Sequence, residues 1–298
     1  MNQNITACLI CIALTLNLVA CRSNRQASVN NVKTQPEKII SQPIQQAKRV
    51  VVLTPLAADL IYQLDKTKLV GVPSGRYTDI IAKSKFINFP RVGTRSAINI
   101  EKIVSLKPDL VIGAEKIHDK TLAKLQELKI PTIARNLSSW QDLENQTIEL
   151  AKLINTNPKP ILDKYKSCFA NIPNNQKTVL ILLRAQPTSS PNKYSWAGNL
   201  LEKFQYKNLA ADFQSGSRFK GFLTLSQEKM LEANPDQLFI IESDNLNPND
   251  FKKLPYWNKL KAVQNNQVYT FHHDGLITPI SIDNIEETCK KLRQIVAK

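Results

Sequence analysis

Arginines alternate with aromatic residues in the loops that follow the predicted strands, and these side chains are the ones best suited to bind a ligand. A guanidinium group binds carboxylates through paired hydrogen bonds and stacks on aromatic rings, so the combination suits an anionic, flat or metal-chelated ligand. The set comprises Arg76, Tyr77, Arg95, Lys116, Arg184, Tyr194, Trp196, Arg218, Phe219 and Phe222. For any one of the charged members, a solvated surface charge is the competing interpretation.

His272, His273 and Asp274 form the one cluster in the sequence with metal-ligand character. Successive residues on a strand point to opposite faces, so we expect the two imidazoles not to share an ion, and no metal to be held directly by side chains. One or both histidines remain candidates for contact with a ligand. Nucleotide-binding, zinc-protease and hydrolase motifs are absent from the sequence, so we predict neither an enzyme nor a resident cofactor.

The chain carries an excess of positive charge. Its 298 residues include 40 Lys and Arg against 25 Asp and Glu, a formal net charge of +15. This excess favours an anionic partner, which could be a small ligand, a lipid headgroup or a nucleic acid, although solubility alone is a further explanation. Because the sequence contains no nucleic-acid-binding motif, we do not expect a nucleic acid.

The first 20 residues are typical of an export signal. Residues 5–20 are apolar and uncharged, and they end in Leu18-Val19-Ala20-Cys21, which resembles the bacterial lipobox. We therefore predict cleavage before Cys21, lipidation of that cysteine, and a flexible polar tether that extends to residue 48. The protein would be anchored to the cytoplasmic membrane and face the periplasm or the cell exterior. An ordinary signal peptide with a chance cysteine is the alternative.

Two similar segments organise the folded part. NIEKIVSLKPDLVIG, residues 99–113, returns as SQEKMLEANPDQLFIIE, residues 226–242, and Glu101 and Asp109 in the first copy match Glu228 and Asp236 in the second. Each segment predicts a capped helix, a Pro-Asp turn and a buried parallel strand. In the first helix we expect Ile103 and Val104 on the buried side. The repeat indicates two α/β lobes, residues 49–137 and 177–298, with a cleft between them.

Residues 138–176 predict a helical connector without strands. Pro158 and Pro160 divide it, so a second helix should begin near Lys159 and continue to Ile172, a length of roughly 20 Å. Cys168 and Cys289 lack the spacing of a metal or thioredoxin-like motif. Two buried thiols and one disulfide are both compatible with the sequence.

Several blocks, in this order, resemble one known family. They are RVVVLTPLAADLIYQL, the NIEKIVSLKPDLVI segment, LSQEKMLEANPDQLFII and LPYWNKLKAVQNNQVYTF. Together they are similar to the helical-backbone (class III) periplasmic substrate-binding proteins of ABC importers for ferric siderophores and vitamin B12. The resemblance covers about residues 48–296. It implies an α/β fold of two Rossmann-like lobes with mainly parallel sheets, joined by one long helix.

The resemblance also implies a function and partners. A monomeric lipoprotein would capture an iron(III)-siderophore in the cleft and deliver it to an ABC permease dimer with its ATPase, and the ferric chelate would be cargo. In relatives, the glutamates that match Glu101 and Glu228 dock to permease arginines. The positions at which the vitamin B12-binding member of the family has aromatic contacts correspond to Tyr77, Arg95 and Phe222. At two of these positions that protein has tryptophan, whereas this sequence has Arg95 and Phe222. This departure favours an anionic chelate of citrate or hydroxamate-citrate type. Cobalamin or haem is the alternative ligand.

Overall fold

The structure is a computed structural model, and it describes residues 46–82, 85–211, 213 and 220–297. The predicted signal peptide, Cys21, Arg218 and Phe219 lie outside the described residues. Within the described ranges, no helix combines the length and the apolar character needed to span a membrane.

In the described residues the strands are β1 (Val50–Val52), β2 (Leu69–Gly71), β3 (Gly93–Thr94), β4 (Ala97–Ile98), β5 (Leu110–Ala114), β6 (Thr132–Arg135), β7 (Thr178–Leu182), β8 (Ser189–Pro191), β9 (Lys207–Asn208), β10 (Phe222–Thr224), β11 (Gln237–Glu242) and β12 (Val268–His272). The α-helices are α1 (Pro55–Asp65), α2 (Arg76–Ala82), α3 (Ile100–Ser105), α4 (Asp119–Glu127), α5 (Trp140–Leu153), α6 (Lys159–Cys168), α7 (Trp196–Lys203), α8 (Gln227–Ala233), α9 (Lys261–Gln264), α10 (His273–Leu276) and α11 (Ile282–Val296). Short 3₁₀ helices occupy Lys66–Lys68, Pro248–Lys253 and Trp257–Lys259.

Two parallel sheets form the framework of the two lobes. The first sheet has the order β2-β1-β5-β6 and the second has the order β12-β11-β7-β9. Neighbouring strands in both sheets run parallel. Two antiparallel pairs, β3 with β4 and β8 with β10, accompany them. The prediction of an α/β fold with mainly parallel sheets is confirmed.

Each sheet is buried on both faces, which explains why its strands are apolar runs. Val50 and Val52 of β1 belong to one hydrophobic cluster, which we call the central core, whereas Val51 lies in a second cluster on the opposite face. In β11, Phe239 likewise belongs to the central core and Leu238 to a separate outer cluster. The central core is therefore shared by the two lobes, while each lobe also has its own outer core.

The connector contains two helices, α5 and α6. As predicted, α6 begins at Lys159 with Pro160 in its first turn, where a proline costs no hydrogen bond. The helix ends at Cys168, earlier than the predicted Ile172. The chain then passes through Asn171, which has a left-handed backbone with φ 57°, and through Ile172, which precedes Pro173. Neither position favours a continued helix, so α6 does not reach Ile172.

Both connector helices are packed into the fold. Trp140 of α5 stacks on Trp196 of α7 with ring centroids 5.7 Å apart, and it meets Tyr165 of α6 edge to face. Cys168 at the end of α6 forms a disulfide with Cys289 of α11, with Cα atoms 5.4 Å apart. The sequence left this pairing open.

A buried polar cluster joins α1 to the start of α11. The Asp59 carboxylate is fully buried, and it accepts hydrogen bonds from the Ile282 backbone N–H at 2.7 Å and from Lys85 Nζ at 2.7 Å. Lys85 Nζ also lies 2.7 Å from Asp283. Burial alone would lower the pKa of Lys85, but hydrogen bonds from its ammonium to Asp283 and Asp59 raise that pKa above its ordinary value. Lys85 therefore remains charged and holds the two carboxylates together.

The repeated segments adopt the predicted structure with one exception. Asn99 and Ser226 cap α3 and α8 through hydrogen bonds from Lys102 N and Lys229 N to their side chains. Ile103 in α3 and Met230, which occupies the same position in α8, are fully buried. The prediction for Val104 is wrong, because its side chain is 41% exposed. A helix of this length rests on the sheet along one narrow line, and the residue after Ile103 is turned away from that line.

The aspartate of each repeat anchors the first strand of its lobe. Asp109 accepts hydrogen bonds from the backbone N–H groups of Lys48 and Arg49 at 2.7 and 2.9 Å. Asp236 accepts hydrogen bonds from Thr178 N at 2.9 Å and from Thr178 Oγ1 at 2.8 Å. The Pro-Asp turn thus fixes where β1 and β7 begin.

We expect Asp236 to make the stability of the second lobe sensitive to acid. A hydrogen bond from Lys261 Nζ, 2.6 Å away, and those from Thr178 lower the pKa of Asp236 to about 2. Its folded-state pKa is depressed, so its contribution is complete above about pH 4 and is lost as the pH falls towards 2. Asp236→Asn should lower stability at pH 7 and flatten the loss of stability between pH 4 and 2 in urea unfolding. The exposed Glu232→Gln is the matched control, and an acid profile for Asp236→Asn that equals the wild type would contradict this role.

Candidate functional site

The carboxyl ends of the two sheets meet at an ion pair. Arg76 begins α2, shortly after β2, and Asp244 lies two residues beyond the end of β11. Arg76 Nη1 is 2.9 Å from Asp244 Oδ2. In open α/β sheets, ligands bind outside the carboxyl ends of the strands. We call the region between the loops at these two edges the cleft.

On the first-lobe side, the loop that carries Arg76 is held by its neighbours. Ser74 N donates to the Gly93 carbonyl at 2.7 Å, and the Arg91 guanidinium donates to the Pro73 carbonyl at 3.1 Å. The Arg76 guanidinium lies 5.9 Å from the centre of the Tyr77 ring, and Tyr77 packs against the central core. Arg76 and Tyr77 therefore lie side by side next to the ion pair.

Arg95 and Lys116 are both exposed in loops of the first lobe. Arg95 lies in the turn between β3 and β4, and Lys116 follows β5 with a left-handed backbone, φ 63°. The Lys116 backbone N–H donates to Asp119 Oδ1 at 2.9 Å, which orders the turn that leads into α4.

His118, which the sequence analysis did not single out, is buried beside this turn. Its Nδ1 accepts a hydrogen bond from Ala114 N at 2.9 Å, while its Nε2 is buried without a hydrogen-bond partner among the described residues. Burial lowers the pKa of His118, and the positive charge of Arg95 lowers it further. The imidazole is therefore neutral with its proton on Nε2. In the sequence, only its place shortly after a predicted strand marked His118 as a candidate site residue.

On the second-lobe side, two adjoining cavities of about 560 and 590 Å³ open next to the ends of β7 and β11. Arg184 is exposed and lines the first cavity, together with Asn245 and Lys253. Glu242, Asp244 and His272 line the second.

Among the aromatic residues of the predicted set that the structure describes, Tyr194 is the most exposed, with 54% of its surface accessible. The ammonium groups of Lys193 and Lys220 lie 5.6 and 5.2 Å from its ring centre. It comes directly before Ser195, the N-cap of α7. A ring beside two cations presents a positively charged aromatic surface.

Trp196 and Phe222 are placed differently from Tyr194. Trp196 is 3% exposed, stacks on Trp140, and donates from Nε1 to the Gly275 carbonyl at 2.9 Å. It is therefore a core residue and does not present its ring to the cleft. Phe222 is partly buried in β10 and packs against the central core.

His272 and His273 converge, contrary to the expectation that they would face apart. His272 Nδ1 is 3.4 Å and His273 Nδ1 is 3.5 Å from the buried Asp274 carboxylate. This happens because β12 ends at His272, and the chain then turns through Asp274 and Gly275, which has φ 106°. Among the described residues, no group of three or more His, Cys, Asp or Glu side chains is arranged to hold a metal ion.

The charge of the cleft is mixed, because two of its cations lie beside carboxylates. Arg76 is paired with Asp244, and Lys253 Nζ lies 2.7 Å from Asp250. Among the described residues, no ion pair of 4 Å or less is formed by Arg95 or Arg184. Within the described part of the chain, the charges of these two arginines are therefore not paired with a carboxylate.

Glu101 and Glu228 occupy matching exposed positions in the first turns of α3 and α8. A hydrogen bond from its own backbone N–H and one from the Ser226 side chain lower the pKa of Glu228, so it remains ionised at neutral pH. Neither glutamate lines the cavities described above.

Residues 50–274 match the periplasmic binding protein family. The chain is 30% identical over 242 residues to the Fe(3+)-citrate-binding protein YfmC of Bacillus subtilis, covering 76% of this chain and 74% of that protein. It is 27% identical over 243 residues to the putative ABC transporter substrate-binding lipoprotein YhfQ of the same organism, covering 74% and 75% of the two chains.

The fold is shared with solved structures of this class. The periplasmic vitamin B12-binding protein BtuF of Vibrio cholerae superposes with a TM-score of 0.61 at 23% identity, over 85% of this chain and 99% of that one. The resemblance drawn from the sequence blocks is confirmed. The chain belongs to the periplasmic binding protein family and is a solute-binding protein, not an enzyme.

Proposed function

We propose that this protein is the substrate-binding lipoprotein of an ABC importer and that it captures an anionic iron(III) chelate, of citrate or hydroxamate-citrate type, in the cleft. The observation that carries the proposal is the convergence of both carboxyl edges at Arg76, with Arg95 and Arg184 exposed in loops at those edges. Two lobes that meet through short charged loops suit a compact polyanion, since each lobe contributes cations to it.

The chemistry of the exposed side chains supports an anionic chelate. A guanidinium fork matches a carboxylate of citrate, and one such charge pair at 4 Å is worth about 4 kcal/mol at an effective dielectric constant of 20, before desolvation is subtracted. Tyr194 and its two neighbouring lysines add a surface on which a planar or anionic part of the ligand can rest. The similarity to an Fe(3+)-citrate-binding protein points to the same class of ligand.

Cobalamin or haem is the second candidate. Tyr77 and Phe222, both partly buried, and the exposed ring of Tyr194 offer apolar surface to a large ring system. His272, which lines a cavity, could contact the metal of such a ligand. The similarity to a vitamin B12-binding protein favours this candidate, whereas the exposed charge of Arg95 favours the iron chelate.

The ligand class is tested by titrating the protein with ferric citrate, a ferric hydroxamate-citrate siderophore, cyanocobalamin and haemin, with isothermal calorimetry as the readout. The double variant Arg95→Ala, Arg184→Ala should bind ferric citrate more than about tenfold less tightly, since two cations are lost, while its melting temperature stays nearly unchanged. Lys152→Ala, Lys203→Ala is the matched control, because both residues are exposed in the last turns of α5 and α7. If both double variants and the wild type had equal dissociation constants, Arg95 and Arg184 would not bind the ligand and the proposed site would be wrong.

We propose that Cys21 carries the lipid anchor. Diacylation provides the two chains needed for stable membrane attachment. Cys21→Ala should release the protein into the soluble exported fraction and remove the acyl mass from the mature chain in mass spectrometry. A Cys21→Ala protein that stays in the membrane fraction with an unchanged mass would contradict the assignment.

We also propose that Glu101 and Glu228 dock to the two halves of the permease dimer with its ATPase. Their matching places on α3 and α8 suit a two-fold partner, because each lobe then presents one carboxylate to one subunit. Glu101→Ala, Glu228→Ala should leave the affinity for ferric citrate intact and abolish its uptake by cells that express the importer.

The control for the docking variant is Glu127→Ala, Glu232→Ala, which removes the same charge from exposed positions on α4 and α8. Uptake should stay normal with this control. If Glu101 and Glu228 only stabilise their helices, their removal would lower the melting temperature and leave uptake unchanged, and the docking proposal would fail.

A further inference from the structure

Asp244 lies in the cleft, where it forms an ion pair with Arg76, one of the side chains proposed to bind the ligand. Its carboxylate is 2.9 Å from the Arg76 guanidinium, which also lies 5.9 Å from the centre of the Tyr77 ring. A guanidinium group that is held by an internal carboxylate is less available to a carboxylate of a ligand. Asp244 and an anionic ligand therefore compete for the same group.

Short, internally bonded loops hold both partners of this ion pair. Ser243 and Leu246 exchange two backbone hydrogen bonds at 3.2 and 3.0 Å, which closes a tight turn around Asp244. On the other side, Ser74 is bonded to Gly93 at 2.7 Å. The pair is therefore a defined contact between the two lobes.

The ion pair is weak enough to be displaced. The Arg76 and Asp244 side chains are 35% and 69% exposed, and pairs exposed to this degree contribute little, equivalent to a factor of about five or less in an equilibrium. A chelate that also binds Arg95 and Arg184 gains more than this factor. A ligand with one carboxylate that meets Arg76 alone does not.

We propose that Asp244 is a specificity-determining residue that acts as an internal competitor for Arg76. Resting on the proposed function, this assignment means that Asp244 lowers the affinity of every ligand that must displace it from Arg76. An anion held by Arg76 alone then binds too weakly to be captured, whereas a polyanion that also meets Arg95 and Arg184 is still captured. Asp244 leaves the binding of a neutral ligand almost unaffected. The displaced carboxylate also repels a bound polyanion, which limits how tightly the chelate is held before delivery.

The test compares Asp244→Asn with Asp250→Asn. Asp250 also lines the second cavity and pairs with Lys253 at 2.7 Å, so its substitution removes an equal charge without freeing Arg76. Asp244→Asn should tighten ferric citrate binding about three- to fivefold, and Asp250→Asn should change it less than about twofold. In an Arg76→Gln background the gain from Asp244→Asn should disappear. Equal gains for the two asparagine variants would reduce the effect to net charge and overturn the proposal.

A second measurement needs no ligand and separates this proposal from the proposed function. Amide hydrogen exchange should be faster in residues 74–79 and 243–247 of both Asp244→Asn and Arg76→Gln than in the wild type, and unchanged there in Asp250→Asn. If the wild type binds no chelate while this exchange pattern is observed, the ligand assignment fails and the lobe contact stands. If ferric citrate binds but Asp244→Asn changes neither its affinity nor the exchange, the role of Asp244 is refuted alone.

Discussion

The arrangement of the cleft depends on the buried carboxylate of Asp59. This side chain has no exposed surface, and it accepts hydrogen bonds from the start of α11, from Lys85 and from Gln63. A buried charge that loses one partner costs about 3–5 kcal/mol, so helices α1 and α11 cannot separate without a large penalty. The disulfide between α6 and α11 adds a covalent tie to the same helix. The loops at the carboxyl edges therefore start from fixed positions.

The repeated segment has two structural roles: it fixes the first strand of its lobe and it exposes a glutamate. Its aspartate, Asp109 or Asp236, ties the beginning of the first strand of the lobe and so fixes the register of the sheet. Its helix places a glutamate, Glu101 or Glu228, on the outer surface. The aspartate and the exposed glutamate belong to the same short helix-turn-strand segment. Each glutamate therefore has the same position relative to the first strand of its own lobe.

Local signals made most of the fold predictable from the sequence. Helix caps such as Asn99 and Ser226 and the apolar strands depend on neighbours within a few residues, and they were read correctly. Contacts between distant parts of the chain could not be predicted from the sequence. The burial of Trp196 against Trp140 and the tie between Asp59 and Ile282 join residues far apart in the chain, and no local pattern records them. The convergence of the two histidines was missed because it requires a turn directly after His272.

The site was only half predictable for the same physical reason. Residue types identified the cations at the strand ends, but the pairing of Arg76 with Asp244 arises only when the two sheets are brought edge to edge. Since the central core is continuous through both lobes, large rotations between them would expose apolar surface and are disfavoured. We therefore assign discrimination among ligands to side chains on short loops that can change partners. An exposed, displaceable ion pair between two rigid lobes is the kind of element that meets this requirement.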